Sequence, residues 1–258
     1  SQGAINIICF IGDLIFLYLK TRLSKRSSSK EEAKKAMDDM ITESKELNES
    51  IERLKMEMLN NSNPSWKEQQ QLEKIKEQRK SLEERLKDLK KQMSKDFEEK
   101  SSLTPVEEDL LEKQELLEEL VDDVMDDELM DLLEKLEELM KNPQEDGMQD
   151  VLEDLEMNSE DMENKMDRTM EMLKQLDVEE RIDDLENDLE SLAEEQDALK
   201  EDLENEKTNP DDAKDKQEEL NKKFDEIQED IEELMKKNED LKRPMELDDM
   251  KEDQESVE

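Results

Sequence analysis

Adjacent carboxylates are the most frequent chemical feature of this sequence, for example Asp122/Asp123, Asp126/Asp127 and Glu179/Glu180. Paired carboxylates can catalyse acid–base chemistry when a cleft holds them in environments that separate their pKa values. The chain contains no histidine, the commonest acid–base group and metal ligand. Thin helices offer no cleft, so we expect these carboxylates to solvate helix faces. The sequence therefore predicts no catalytic residue and no enzyme activity.

A single glycine in the acidic part of the chain could belong to a metal-binding loop. Gly147 ends the stretch Asn142-Pro143-Gln144-Glu145-Asp146-Gly147. A calcium loop needs alternating oxygen ligands around a central glycine and a closing glutamate, and this stretch lacks both at the required spacing. A glycine-rich phosphate loop is also missing from the sequence. We predict no metal-binding residue, no cofactor-binding residue and no cofactor.

Methionine is concentrated in one stretch, at Met157, Met162, Met166, Met170 and Met172. Three of these residues follow one another at four-residue steps, which places them on one helix face. Methionine fills irregular cores, and it also forms adaptable surfaces that bind partner helices. We favour a core stripe and keep a partner-binding surface as the alternative.

The overall composition does not suit a thick globular core. Charged residues make up 47% and apolar residues 32%, against roughly 25% and 45–50% in typical domains. Glu, Lys, Leu, Met and Gln, which all favour helix, dominate the chain. The composition predicts an all-α protein whose cores are two or three helices thick. The lone Cys9 excludes an intrachain disulfide.

The net charge of −42 is unevenly distributed along the chain. Residues 1–100 contain 21 basic and 19 acidic residues, whereas residues 101–258 contain 18 basic and 62 acidic residues. The second part is repelled by phosphates, so no nucleic-acid partner is expected. Its charge suits basic protein surfaces, and we expect protein partners to bind through helix faces.

Residues 4–19 form a mostly apolar run, interrupted by Asn6, Gly12 and Asp13 and followed by basic residues up to position 30. A membrane-spanning helix requires about 20 apolar residues, so this run is short, and Asp13 would be costly at mid-depth. A membrane anchor, a fragment edge and a misjoined sequence all remain open. If the run inserts, its basic flank would stay cytoplasmic. The initial Ser1 suggests a piece of a longer protein.

Beyond residue 30, the sequence predicts five amphipathic helices separated by breaks that contain proline. Apolar residues recur at alternating steps of three and four, which is the seam of a coiled coil. The seams of the first two helices are Ala33, Ala36/Met37, Met40, Leu47, Ile51, Leu54 and Met58, with Ser44 as a polar member, and Leu72, Ile75, Arg79, Leu82, Leu86, Leu89 and Met93. Those of the last three are Leu110, Leu117, Val121, Val124, Leu132, Leu136 and Leu139; Val178, Ile182, Leu185, Leu189, Leu192, Gln196, Leu199 and Leu203; and Ala213, Gln217, Leu220, Phe224, Ile227, Ile231, Leu234, Asn238 and Leu241.

Several local signals mark where these helices begin. Thr104-Pro105-Val106-Glu107 predicts a capped start, and Asn158/Ser159 suggests a second cap inside the fourth helix. Trp66 follows Pro64-Ser65, and we expect it to fix that turn against a neighbouring helix. The third helix, predicted to run to about Met140, is the most apolar. Its seam is wider than that of a bare coiled coil, so we expect it to contact two neighbours.

Charge and connection length suggest how the helices pair. Residues 66–100 carry a net charge of +2 and residues 105–141 carry −13, so a short turn would join a near-neutral helix to an acidic one. We predict coiled-coil-like antiparallel hairpins in an extended arrangement. The segments are 1–29, apolar and basic; 30–100, a near-neutral helical pair; 101–204, long acidic helices; 205–244, a final helix; and 245–258, a disordered acidic tail.

Three stretches, LLEKQELLEELVDDVMDDELMDLLEKLEELM (110–140), DLEMNSEDMENKMDRTMEMLKQLDVEERI (154–182) and KQEELNKKFDEIQEDIEELMKKNEDLKRP (216–244), carry a family resemblance. They resemble the charged helical region of large membrane-anchored bacterial proteins of unknown function, best known from Bacteroidota. The resemblance covers roughly residues 30–245. It implies an internal fragment downstream of membrane helices and a β-rich extracytoplasmic part, and it supplies no catalytic residues.

The expected function is a non-catalytic scaffold or protein-interaction module of a larger membrane-anchored bacterial protein. Its expected location is the cell envelope, with the membrane side undetermined. The alternative is a parallel-dimer rod similar to a filament or a motor tail, and a homo-oligomer is compatible with both. A third interpretation, an acidic cation buffer, predicts compaction in millimolar calcium.

Overall fold

The computed structural model describes residues 2–60, 64–102, 106, 108–142, 146–205 and 207–247, with the backbone alone described for residues 2–28 and 60. Within these ranges the chain is all-α, as predicted, and contains no strand. The helices are α1 (Gln2–Asn60), α2 (Trp66–Ser101), α3 (Glu108–Val124), α4 (Glu128–Lys141), α5 (Met148–Glu204) and α6 (Pro210–Glu239). Helix α1 passes without a break through position 30, where the sequence changes character.

The chain divides into two compact units, Ser1–Leu173 and Lys174–Glu258. The boundary falls inside α5. The first unit contains α1 to α4 and the N-terminal part of α5. The second contains the rest of α5 and α6.

In the first unit, α1 and α2 pack against each other in opposite directions. Close to their connection, the Lys67 ammonium lies 2.8 Å from a Glu57 carboxylate oxygen. Further away, Arg85 pairs with Glu43, and the Gln92 amide donates to the Ser29 hydroxyl at 3.1 Å. Because residues earlier in α1 contact residues later in α2, the two helices are antiparallel.

The opposite flank of α2 contacts α3 and α4, again antiparallel. The Ser94 hydroxyl donates to Glu118 at 2.7 Å, and the Lys90 ammonium lies 2.7 Å from the Asp122 carboxylate. Nearer the start of α2, the Lys76 ammonium lies 2.7 Å from Glu137 of α4. Helix α2 therefore has a neighbour on each side.

The N-terminal part of α5 returns along α1. Lys55 pairs with Glu156, and the Lys45 ammonium lies 3.8 Å from Glu163. Between these pairs, the Ser159 hydroxyl donates to the Asn48 side-chain oxygen at 2.8 Å. The second cap predicted at Asn158/Ser159 is wrong, because α5 continues through these positions and Ser159 is engaged with α1 instead.

The predicted seams of α1 and α2 form the core of the first unit. Every predicted seam position in α1 from Met37 to Met58 is buried, including the polar Ser44, and Ala33 is also buried while Ala36 is half-buried. All seven positions predicted in α2 are buried, including Arg79. The buried residue Ile41 lies beside the predicted α1 stripe and was missed. Regular steps of three and four thus identified most of both buried faces.

The predicted single helix from 105 to Met140 is wrong, because it is interrupted between Val124 and Glu128. Up to Val124, the predicted seam positions Leu110, Leu117, Val121 and Val124 are all buried. Beyond the interruption, Leu133 replaces Leu132 as a buried residue, and Leu129 and Met140 join the core. The interruption shifts the buried face by about one residue.

Helix starts are stabilised by side chains where the structure describes them. At α2, the Ser65 backbone N–H donates to a Glu68 carboxylate oxygen at 2.8 Å, and the Lys67 N–H donates to the Ser65 hydroxyl at 3.2 Å. At α6, Asn209 accepts from the Asp212 N–H at 2.9 Å, and Pro210 occupies the first helical position. The start predicted at Thr104–Glu107 lies, apart from Val106, outside the described residues.

The second unit has a thinner core between α5 and α6. Its buried residues form two clusters, Val178, Leu185, Ile227, Ile231, Leu234 and Leu241, and Leu199, Ala213 and Leu220. Ile182, Leu189 and Leu192 are only partly buried, Gln196 is exposed, and Leu203, predicted in the seam, is 44% exposed. Two helices cover a seam less completely than a bundle does.

The chain after α6 turns back onto the same core. The Asn238 side chain donates to the Met245 carbonyl at 2.9 Å and accepts from the Met245 N–H at 2.8 Å. Met245 packs against the cluster that contains Leu234. Of the tail predicted to be disordered, residues 248–258 lie outside the described residues, while Met245 is fixed by these contacts.

Candidate functional site

The structure disperses the carboxylate pairs along helix surfaces. Asp122 forms an ion pair with Lys90, and the Asp126 side chain accepts from the Glu128 N–H at 3.1 Å beside the start of α4. Glu180 is buried on α5. Across the described ranges, no three His, Cys, Asp or Glu residues are arranged to hold a metal ion.

Gly147 serves the start of α5. Its φ of +112° lies in the region that favours glycine, and its carbonyl accepts from the Val151 N–H at 3.1 Å. Residues 143–145 of the stretch compared with a calcium loop lie outside the described residues. The described geometry of Gly147 is that of a residue preceding a helix.

The methionine stripe is part of the core, as favoured from the sequence. Met162, Met166 and Met170 are buried on one face of α5. Met172 is half-buried, whereas Met157 points away from the stripe and is 69% exposed. The regular four-residue spacing identified the buried members, and the irregular member is on the surface.

Trp66 does not fix the turn as predicted. Its side chain is 71% exposed, and the start of α2 is capped by Ser65 and Glu68 instead. Met56 and Leu59, in the last turns of α1, are also largely exposed. These three residues, at the connected ends of α1 and α2, are called the exposed apolar tip.

The carboxylate of Glu137 forms ion pairs both within α4 and with α2. Glu137 of α4 pairs with Lys141 in its own helix and with Lys76 of α2. Hydrogen bonds from Lys141 and then Lys76 lower the pKa of Glu137 to about 2. The pairing keeps this carboxylate ionised and links α4 to α2.

The most unusual buried group is the Arg79 guanidinium. Only 1% of the residue is exposed, and it lies among the apolar seam residues of α2. One terminal nitrogen donates to the backbone carbonyls of Val124 at 3.3 Å and Asp126 at 2.8 Å. Burial lowers the pKa of Arg79, and the charges of Glu83, Asp127 and Asp126 oppose that shift. Sequence reasoning placed Arg79 in the seam but missed its contacts with the interruption between α3 and α4.

Acidic groups also crowd the α5–α6 pair in the second unit. Desolvation by the packed helices raises the pKa of Asp188, and the charges of Asp184 and Asp230 add to the effect. Desolvation likewise raises the pKa of Asp230; Arg181 opposes this shift, while Glu233 and other glutamates of α6 strengthen it. A basic partner, or protonation of these carboxyl groups, would reduce the electrostatic repulsion on this surface.

Among the residues that the structure describes, no helix is both long and apolar enough to cross a membrane. This finding gives the transmembrane prediction no support. The run at 4–19 belongs to the part of α1 whose side chains the structure does not describe.

The chain matches no family model, and no curated protein or solved structure is significantly similar to it. The resemblance to membrane-anchored bacterial proteins therefore remains an expectation from the sequence.

Proposed function

We propose that this chain is a non-catalytic scaffold or protein-interaction module, built from coiled-coil-like antiparallel helical hairpins. The single observation that carries this proposal is the position of α2. Its apolar seam is buried, one flank contacts α1 through Arg85 and Glu43, and the other contacts α3 through Lys90 and Asp122.

Because the apolar seams are buried within the chain, the charged helix faces point outward. Amphipathic helices gain most of their stability from burying the apolar stripe, and the first unit does this with its own helices. The outer faces remain for recognition, together with the exposed apolar tip of Met56, Leu59 and Trp66. A charged surface beside apolar side chains suits a protein partner that carries complementary charges and apolar groups.

The proposed parent is a larger membrane-anchored bacterial protein in the cell envelope. The supports are the family resemblance over residues 30–245 and the basic flank that follows the apolar run at 4–19. Fractionation of bacteria that express residues 1–258 or 30–258 tests the anchor. We expect only the longer chain to sediment with membranes and resist high salt, and equal solubility of both would contradict the anchor.

The alternative is a parallel-dimer rod, favoured by the sustained steps of three and four in the seams. Sedimentation equilibrium separates the two architectures. Antiparallel hairpins predict a monomer of 30.6 kDa at low concentration. A stable dimer with no dissociation at nanomolar concentration would favour the rod.

A binding experiment tests the interaction role itself. Proximity labelling with the full chain is compared with a variant that carries Met56→Gln, Leu59→Gln and Trp66→Gln. Because these side chains are exposed, the variant should keep its thermal unfolding midpoint and lose labelling of specific proteins. Identical labelling patterns for both chains, and for an unrelated acidic helical control, would contradict the proposed role.

A further inference from the structure

The interruption between α3 and α4 is not explained by its own residues. The connecting sequence is Met125-Asp126-Asp127, which contains neither glycine nor proline. Sharp helix interruptions normally arise at proline, at glycine–serine pairs, at bulges or where a side chain enters the hydrogen-bond ladder. The cause must therefore lie in the spacing of the apolar seam or in the residues that pack against this segment.

The first cause is the spacing of the seam. The buried positions of α3 end at Val121 and Val124, and those of α4 begin at Leu129 and Leu133. The step from Val124 to Leu129 is five residues, whereas a continuous seam allows three or four. One extra residue therefore separates the two apolar faces, and an uninterrupted helix would turn Glu128 or Asp131 towards the core.

The second cause is Arg79, which reaches the interruption from α2. The end of a helix leaves carbonyl groups without donors from the next turn. The Arg79 guanidinium donates to two carbonyls here, those of Val124 and Asp126. The Nε and the other terminal nitrogen are buried and have no hydrogen-bond partner, so these carbonyls are the only acceptors that the described residues give this buried cation.

We propose that Arg79 is a positioning residue that fixes where the helix is interrupted, and thereby sets the register of α4 in the core. An extra residue can be accommodated at several positions along a helical pair. Donation by a charged group is stronger than donation by a neutral one, so it selects the position that exposes the carbonyls of Val124 and Asp126. The Asp126 side chain also stabilises the interruption, because it accepts a hydrogen bond from the Glu128 N–H.

Hydrogen exchange tests this role with Arg79→Met, which keeps a long apolar stem and removes the guanidinium. The matched control is Arg85→Met in the same helix, where the lost partner is Glu43 at a partly exposed site. A hydrogen bond to a charged group contributes about 1.5–3 kcal/mol, so amides at 122–131 should exchange about tenfold faster or more in Arg79→Met. The control should leave those amides unchanged, and the same result for both variants would overturn the proposal.

Deletion of Met125 provides a second readout, because it removes the extra residue between the two apolar faces. Without the extra residue, a continuous helix satisfies its own carbonyls and leaves Arg79 as a buried cation without acceptors. The deletion should therefore lower the thermal unfolding midpoint of the wild-type chain and raise it, or leave it unchanged, in Arg79→Met. Equal destabilisation in both backgrounds would overturn the proposal. If Arg79→Met alone does not fold, the double variant decides, because the proposal requires that variant to fold.

Discussion

At the scale of single residues, the informative positions are the polar groups inside the apolar seams. Ser44 is fully buried and its hydroxyl has no hydrogen-bond partner among the described residues. The Ser159 hydroxyl, equally buried, lies within hydrogen-bond distance of two acceptors, the Asn48 side-chain oxygen and the Glu156 carbonyl. The two serines show that the same residue type can cost stability in one seam and join two helices in another.

Replacing Ser44 with alanine should stabilise the protein. The change removes a buried hydroxyl without a partner and improves helix propensity, for a gain of about 1 kcal/mol in the free energy of unfolding. The matched control is Ser50→Ala, because the Ser50 hydroxyl already donates to the Glu46 carbonyl at 2.8 Å. Urea unfolding followed by circular dichroism measures both variants. A gain for Ser50→Ala equal to that for Ser44→Ala would show that burial of the hydroxyl is not the cause.

Glu137 gives stability a specific pH dependence. Its folded pKa of about 2 lies below the ordinary value of about 4.3, so the ionised form stabilises the fold at neutral pH. That contribution is lost as pH falls from about 4 through about 2. Because the carboxylate is 35% exposed, solvent limits the effect to less than about 1 kcal/mol.

The variant Glu137→Gln should therefore be less stable than wild type at pH 7 and equally stable at about pH 2. Thermal unfolding at a series of pH values measures the difference. Glu138→Gln removes one charge from the same turn and controls for the net charge of α4. A difference that persists unchanged to low pH would contradict the assigned ion pairs with Lys76 and Lys141.

At the scale of helices, the sequence was most informative where one period holds throughout. The seams of α1 and α2 could be located from steps of three and four, because a regular repeat has one helical phase. After Val124 the same reasoning selected Leu132, since the extra residue between the two apolar faces leaves no signal in composition. The contact between Arg79 and the Val124 carbonyl could not be predicted, because a seam pattern does not specify which helix lies opposite.

Two substitutions at the start of α2 test why the prediction for Trp66 was wrong. Trp66 was expected to hold the turn after Pro64-Ser65 against a neighbouring helix, yet the local hydrogen bonds of Ser65 and Glu68 suffice to begin the helix. Ser65→Ala should cost about 1 kcal/mol of unfolding free energy by removing the cap. Trp66→Ala should change it by less than about 0.5 kcal/mol, since the side chain is exposed.

Chemical unfolding of these two variants measures both effects, and the neighbouring exposed change Lys67→Ala adds a control for the ion pair with Glu57. The order of the two losses in unfolding free energy matters more than the size of either loss. If Trp66→Ala proves more costly than Ser65→Ala, the aromatic ring supports the turn after all, and the exposed apolar tip is smaller than described.

At the scale of the whole molecule, limited apolar content determines what the chain can bury. In the first unit several helices share one core, and the predicted seam positions of α1 and α2 are well covered. In the second unit two described helices share the seam, and Leu189, Leu192 and Leu203 stay partly or largely exposed. Stability should therefore differ between the units, with slower hydrogen exchange in the seam of α2 than in residues 189–203 of α5.

Cross-linking of mixed chains tests the central claim, that the chain buries its seams against its own antiparallel helices. Equal amounts of unlabelled and nitrogen-15-labelled protein are unfolded together, refolded and treated with a zero-length carbodiimide reagent. The cross-links between Lys90 and Asp122 and between Lys76 and Glu137 are then isolated by mass spectrometry. We expect both peptides of each cross-link to carry the same isotope. Cross-links that combine labelled and unlabelled peptides at the statistical frequency would mean that the helices pair between chains, and would contradict the account.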